Sequence, residues 1–280
     1  MSIEGLVLDG KPQPGSYLCD ATEGLRALPA ESVDLVLSDP AYSSMEKHRA
    51  IGSTTRLKQS DSSSNEWFPV VPNEYFGPFF KECYRVLKMD RYIFIMCDDE
   101  TSDVIKPQLV DAGFTWRKRL VWSKHTENPQ PQTCSYCRTE LACRACGTKH
   151  ERHNQAIGMG YPFRTSYEFI LFAQKGKRPA PTNRTVRDVF NDPMVRHPGA
   201  YPTQKPVSLL EKLIAQSTDE GNLVIDPFAG SGSTLEAAKN LGRLSIGFDV
   251  QQAAMDRQAG IHSPVIIPEE ENLVFDLFGS

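Results

Sequence analysis

The stretch Val224-Ile225-Asp226-Pro227-Phe228-Ala229-Gly230-Ser231-Gly232-Ser233-Thr234 constrains the fold more than any other part of the chain. Leu223, Val224 and Ile225 form a short apolar run between turn formers, the pattern of a strand buried in a parallel sheet. Gly230 and Gly232 allow a sharp turn and a close approach of a ligand to the backbone. Ser233 and Thr234 are expected to cap a helix over Leu235–Leu241, which Gly242 ends. A second strand, Leu244–Phe248, then finishes on the acid Asp249.

Strand, glycine turn, helix, strand and acid make half of a Rossmann unit, with the acid placed to accept hydrogen bonds from both hydroxyls of a ribose. The glycine spacing is Phe-x-Gly-x-Gly rather than Gly-x-Gly-x-x-Gly. That spacing favours a nucleoside-type ligand over a dinucleotide pyrophosphate. Near the other end of the chain, Val33-Asp34-Leu35-Val36-Leu37-Ser38 reads as another buried strand and runs into Asp39-Pro40-Ala41-Tyr42.

These segments resemble the amino-group DNA methyltransferases. Asp39-Pro40-Ala41-Tyr42 resembles their catalytic motif, Asp/Asn/Ser-Pro-Pro-aromatic, and Asp226 to Gly232 resembles their S-adenosyl-L-methionine (AdoMet) loop. The catalytic motif precedes the cofactor loop, which is the permuted order of the beta class. Tyr201-Pro202-Thr203-Gln204-Lys205-Pro206 resembles the His-Pro-Thr-Gln-Lys-Pro element of that class, with Tyr201 in place of histidine. Each motif is weak alone; the three in this order and spacing are specific.

The resemblance implies an α/β fold: a Rossmann-like class I methyltransferase sheet, mostly parallel with an antiparallel hairpin edge, in circularly permuted order. It implies that AdoMet is held by Asp226, Phe228, Gly230, Gly232, Ser233 and Thr234 of the loop, and by Asp249 and Val250 after the next strand. Gln204, Lys205 and Asp39 would complete the set, with Asp20 and Ala21 beside the adenine. Asp20 also suits a helix N-cap, and the two roles are compatible. Asp39, Pro40 and Tyr42 would be catalytic. Asp39 and the Pro40 carbonyl would accept the two amino protons of the target base, and Tyr42 would stack on it. Ala41 stands where a second proline is usual, which removes one fixed φ from the loop.

The chain has 280 residues and 40% apolar content, enough for one large α/β domain with insertions. It has no run of eighteen apolar residues and no apolar signal core, so the expectation is a cytoplasmic protein with no membrane partner. The net charge of −4 conceals a partition. Arg117 to Arg196 holds fifteen basic and six acidic residues, an excess of nine positive charges, which leaves the remainder at about −13. A basic segment on an acidic body fits a polyanion-binding face, although a solvated loop region would look the same.

Two insertions interrupt the expected domain. Residues 43–73 show no periodicity and read as a DNA-contacting loop, or else a plain surface insertion. Residues 123–165 contain Cys134-Ser135-Tyr136-Cys137 and Cys143-Arg144-Ala145-Cys146. Two such knuckles in a cytoplasmic chain are a structural Zn2+ signature, with Cys134, Cys137, Cys143 and Cys146 as ligands. Five residues separate the knuckles, fewer than in most zinc ribbons, so His150 or His153 stands as an alternative ligand. An iron–sulfur cluster or unliganded thiols are the other readings. The metal would supply folding energy that so short and polar a segment lacks. The insert reads as part of target recognition, or as a clasp or dimer contact.

The further elements expected are helices over Ala21–Leu28, Tyr75–Leu87, Thr101–Ala112 and Val207–Gln216. Strands are expected over Tyr17–Asp20, Tyr92–Cys97, Phe114–Trp122 and Tyr167–Ala173. Arg117, Lys118 and Arg119 would alternate outwards. The aromatic face Phe76, Phe79, Phe80 and Tyr84 reads as core. The expected function is adenine-N6 methylation of double-stranded DNA, with cytosine-N4 as the nearest rival, because an aspartate opens the catalytic motif where cytosine-N4 enzymes more often have serine. A non-catalytic zinc-containing DNA-binding regulator is the remote alternative. As in relatives of the class, the partners would include a second copy of the chain and a cognate restriction endonuclease.

Overall fold

A computed structural model describes residues 3–42, 70–124, 165–177, 183–195 and 204–258. A small antiparallel hairpin, β1 (Val7–Leu8) with β2 (Lys11–Pro12), precedes the main sheet. The main sheet holds β3 (Gly15–Leu18), β4 (Val33–Ser38), β5 (Leu87–Cys97), β6 (Thr115–Ser123), β7 (Tyr167–Lys175), β8 (Val189–Asn191), β9 (Leu223–Asp226) and β10 (Leu244–Asp249). The helices are α1 (Ala21–Ala27), α2 (Phe76–Val86), α3 (Asp99–Asp111), α4 (Val207–Ser217), α5 (Ser233–Asn240) and α6 (Gln252–Gln258).

The spatial order is β3-β10-β9-β4-β5-β7-β6-β8. Every neighbouring pair is parallel except the two made by β7, which runs against both β5 and β6. The unit β9-turn-α5-β10 comes late in the sequence, yet β9 lies beside β4 near the middle of the sheet.

The central strands read as continuous apolar runs because they are covered on both faces. Val36 of β4 and Ile93, Ile95 and Cys97 of β5 enter one core cluster, with Leu25, Phe76, Phe79 and Phe80 from α1 and α2. Leu35 and Leu37, with Tyr92, Phe94 and Met96, enter the other, against Leu209, Leu213 and Ala237 of α4 and α5. Successive residues of one strand thus serve opposite layers.

Several local expectations shift. α2 starts at Phe76, after a single 3-10 turn over Asn73–Tyr75, and buries Phe76, Phe79, Phe80, Cys83 and Val86. Tyr84 leaves that face and meets Phe114 edge-on at 5.1 Å. α3 begins two residues earlier than expected because the Asp98 carboxylate caps it through the Thr101 N–H at 2.8 Å. The helix expected after the glycine turn is capped by Gly232 in the left-handed region (φ 83°), with no side-chain cap bond. Ser233 and Thr234 are its first two residues, buried inside the turn rather than capping it.

Three consecutive basic residues do not all alternate outwards on a period of two. The β6–β7 register shifts between Trp116 and Lys118. Arg117 then bonds Gln174 at 2.7 Å, Lys118 pairs with Asp188 at 2.7 Å, and Arg119 pairs with Asp103. Among the described residues, this part of the basic segment makes these contacts at the surface.

The two insertions are pinned at their ends. The Val71 N–H donates to the Ala41 carbonyl at 2.7 Å, and Tyr42 forms a bridge to Val71. The Lys124 N–H donates to the Ser166 carbonyl at 2.9 Å. Both bonds lie close to the bounds expected for the two insertions, 43–73 and 123–165. Residues 43–69, the four zinc-motif cysteines and the chain after residue 258 lie outside the described residues.

Candidate functional site

The carboxyl ends of β3, β4, β5, β6, β9 and β10 surround a cavity of about 570 Å³. This is the edge of an open α/β sheet at which ligands bind, and the volume falls within the range of small-molecule sites.

The β9 turn forms one wall. Gly230 and Gly232 have φ of 49° and 83°, values that side chains other than glycine rarely adopt. The Gly232 N–H closes the turn on the Ala229 carbonyl at 2.7 Å, and the Ala229 N–H reaches the Phe248 carbonyl at 2.9 Å. Asp249 ties the turn to β10. One carboxylate oxygen accepts from the Gly230 N–H at 2.9 Å and the other from the Gln251 N–H at 2.8 Å. Burial raises its carboxyl above the ordinary range.

Asp226 is buried beneath the turn. It accepts from the Ser38 hydroxyl at 2.7 Å, from the Phe228 N–H at 3.1 Å and from the Thr234 side chain. Burial still lifts its carboxyl to about 6. Asp226 therefore holds the last residue of β4 against the last residue of β9.

Asp20 caps α1, accepting from the Thr22 N–H at 2.8 Å and the Glu23 N–H at 3.1 Å. It also meets the Tyr75 hydroxyl, 2.9 Å and 2.8 Å from its two oxygens. Tyr75 was not singled out by the sequence reading. Burial raises its phenol to about 12, so it stays a donor, and its ring stands edge-on to Phe228 at 6.3 Å. Tyr75 and Phe228 give the Asp20 side of the cavity an aromatic wall.

The β4 end forms the opposite wall. Asp39, Pro40 and Tyr42 all line the cavity, and Tyr42 is 8% exposed. The Ala41 carbonyl, held by Val71, restrains the tetrapeptide where the expected second proline is missing. Lys205 pairs with Asp39. Its ammonium also lies 3.4 Å from Glu168, which Lys124 contacts at 2.6 Å. The face of Trp122 carries both ammoniums, at 5.3 Å from Lys124 and 5.9 Å from Lys205, while its N–H donates to the Asp192 carbonyl at 2.7 Å.

Burial pushes the Asp39 carboxyl up against the pull of Lys205. Burial acts in the same sense on Glu168, but Lys205 and Lys124 outweigh it and hold that carboxyl below the usual range. Burial would lower the Lys205 ammonium, and the two carboxylates more than offset it, so Lys205 stays charged.

Of the residues expected at the site, Asp20, Ala21, Asp39, Pro40, Tyr42, Gln204, Lys205, Asp226, Phe228, Gly230, Ser233, Thr234, Asp249 and Val250 line this one cavity. Gly232 does not line it and acts by shaping the turn. Glu168, Lys124, Trp122 and Tyr75 also line it and were not anticipated. The readable signal for Glu168 was a lone acid inside the otherwise apolar run Tyr167–Ala173. No group of three or more metal-ligating side chains occurs among the described residues.

The sequence model of a family described as DNA methylase, of the N6/N4 type, matches residues 33–259. The DNA adenine methyltransferase YhdJ of Escherichia coli K12 is 29% identical over 237 residues, covering 82% of this chain and 76% of YhdJ. TTHA0409 of Thermus thermophilus, solved in complex with S-adenosyl-L-methionine, superposes with a TM-score of 0.59 at 21% identity, covering 89% of this chain and 93% of that one. The PvuII cytosine-N4-specific DNA methyltransferase superposes with a TM-score of 0.61 at 16% identity, covering 92% and 89% of the two chains.

Proposed function

The chain belongs to the N6/N4 DNA methylase family, and from that premise we propose that it methylates the N6 amino group of an adenine flipped out of double-stranded DNA, with AdoMet as donor. The observation that carries the proposal is the meeting of two motifs. Asp39-Pro40-Ala41-Tyr42 and the Asp226–Thr234 turn open into one cavity, and Ser38 bonded to Asp226 fixes their separation.

The residues present suit this donor. The glycine turn brings backbone close to the cavity, Asp249 stands at the end of β10 for a ribose, and Tyr75 and Phe228 offer aromatic surface near Asp20 for an adenine. AdoMet supplies a methyl group on a cationic sulfur. An adenine N6 lone pair is delocalised into the ring and is a poor nucleophile. Asp39 and the Pro40 carbonyl each accept a hydrogen bond from one of its two N–H groups, draw the nitrogen towards tetrahedral geometry and stabilise the positive charge that develops there. As the N–CH3 bond forms, the methyl–sulfur bond breaks to leave a neutral thioether, and one N6 proton is then lost to solvent. Tyr42 stacks on the flipped base, which offsets part of an unstacking cost of a few kcal/mol. Holding both partners in line contributes much of the remaining acceleration.

The permuted beta-class assignment draws support from strand order, since the late β9 unit lies beside the early β4. The adenine assignment rests on the aspartate of the catalytic motif and on the likeness to YhdJ. The segment 125–164 starts and ends beside Lys124 and Glu168, at the cavity. This supports a target-recognition role for it, while its folding around zinc is proposed from the cysteine spacing alone. A homodimer and a cognate endonuclease are proposed from the class alone. The proposed setting is the bacterial cytoplasm; among the described residues, no helix is long and apolar enough to cross a membrane.

The test is to incubate the purified chain with labelled AdoMet and duplex DNA, then digest the DNA and identify the methylated nucleoside by mass. N6-methyldeoxyadenosine is expected. N4-methyldeoxycytidine would transfer the reading to the cytosine enzymes. No methylated nucleoside on a broad panel of duplexes would leave the DNA-binding regulator in its place.

A further inference from the structure

The cavity is lined by five carboxylates, Asp20, Asp39, Glu168, Asp226 and Asp249, against two ammoniums, Lys124 and Lys205. Four of the carboxylates are occupied by the fold. Asp20 caps a helix and meets Tyr75; Asp39 pairs with Lys205; Asp226 holds Ser38, Phe228 and Thr234; Asp249 takes two backbone N–H groups.

Glu168 is different. Lys124 satisfies one of its oxygens, but Oε2 is buried and accepts no hydrogen bond. The Lys205 ammonium faces that oxygen at 3.4 Å as an ion pair and, with Lys124, holds Glu168 ionised. Glu168 thus supplies the second negative charge of a buried array in which two carboxylates meet two ammoniums.

We propose that Glu168 makes the cavity discriminate by charge, favouring a cationic methyl donor over the neutral thioether that remains after transfer. The inference rests on the proposed function above. AdoMet and S-adenosylhomocysteine differ by one methyl group and one positive charge, so a group that senses charge separates them where shape does not. Asp39, Lys205, Glu168 and Lys124 together are neutral. Removing the Glu168 charge leaves that array with one net positive charge in a water-poor site, which opposes a sulfonium and spares a thioether. The same preference helps the spent thioether leave after each turnover.

The test is calorimetric titration of the wild-type chain, Glu168→Gln, Lys124→Met and the double variant with AdoMet and with S-adenosylhomocysteine. For one unit charge at about 10 Å and an effective dielectric constant of about 20, Glu168→Gln should weaken AdoMet relative to S-adenosylhomocysteine on the order of tenfold. Lys124→Met should move the ratio the other way, and the double variant should return it close to the wild-type value. S-adenosylhomocysteine affinity shows that each variant is folded. Equal losses for both ligands in Glu168→Gln, or a ratio unmoved by Lys124→Met, would overturn the inference. A wild-type chain that binds both ligands yet methylates no DNA overturns the proposed function and leaves the charge test standing. A wild-type chain that binds neither overturns both.

Discussion

The Ser38 hydroxyl donates to the Asp226 carboxylate at 2.7 Å, joining two strand ends that are 188 residues apart in the chain. Ser38 immediately precedes the Asp39 motif and Asp226 opens the other, so the bond ties together the two motifs that line the cavity. Ser38→Ala leaves a buried carboxylate with one donor fewer, and should cost about 1–3 kcal/mol of stability. Urea unfolding would measure that cost, and AdoMet affinity should fall with it. A variant with unchanged stability and unchanged affinity would show that β9 and β4 hold their alignment without this bond.

Asp226 also predicts a pH dependence. Burial lifts its carboxyl from 3.8 to about 6, so the folded state binds its proton more tightly than the unfolded chain does. The stability it contributes is complete below 3.8 and is lost as pH rises through about 6. Asp226→Asn removes this titration. Between those pH values the wild type should lose on the order of 3 kcal/mol relative to the variant. Paired unfolding curves at about pH 4 and pH 7 check the sign, and parallel curves would contradict the buried assignment.

Asp39→Ala should weaken AdoMet only modestly, as any loss of one negative charge from the array would, and lower kcat by about 10²–10³, the scale seen when one preorganised polar group is removed from a transition state. Tyr42→Phe should be mild, because stacking needs only the ring. Tyr42→Ala should raise KM for DNA and lower kcat. Initial rates of methyl incorporation test all three, and a near-native rate for Asp39→Ala would remove its role as acceptor.

Asp249→Ala takes away both a ribose acceptor and the acceptor of the Gly230 and Gln251 N–H groups. AdoMet affinity should drop by about tenfold or more. Calorimetry decides, and native affinity in the variant would place the ribose elsewhere.

One zinc per chain is expected, on Cys134, Cys137, Cys143 and Cys146. Elemental analysis of freshly purified reduced protein measures it directly. Chelation should abolish specific DNA binding and spare AdoMet binding, since the cofactor turn lies more than seventy residues further along the chain. Protein free of zinc when prepared in this way would return the cysteines to plain thiols.

The parts of the fold legible in the sequence are those set by local pattern. The runs Val33–Leu37, Ile93–Cys97 and Val224–Ile225 carry no alternation because both faces are covered, and their burial follows from that alone. The glycine turn was legible because few residues accept a positive φ. The ionic array at Asp39 was not legible, because Lys205, Glu168 and Lys124 come from distant segments and meet only when β7 runs antiparallel between β5 and β6. The same holds for Asp34, whose buried carboxylate binds Lys88 at 2.8 Å and the Leu223 N–H at 3.0 Å. Charge counted along a sequence also leaves the partner of each side chain unread. Arg117, Lys118 and Arg119 come from one stretch of the basic segment, yet each takes its own partner, Gln174, Asp188 and Asp103, at the surface of the fold.

The clasps at Ala41–Val71 and Lys124–Ser166 make the catalytic body indifferent to what is strung between them. Lys124 and Ser166 flank two paired strands, Ala41 meets Val71 just beyond the end of β4, and lengthening a closed loop twofold costs only about 0.6 kcal/mol. A foreign segment spliced in between either pair of anchors should therefore leave the sheet and the cavity as they are. With the recognition role proposed for these segments, new sequence preferences would then come from swapping cassettes on an unchanged engine, in the laboratory or by recombination between relatives.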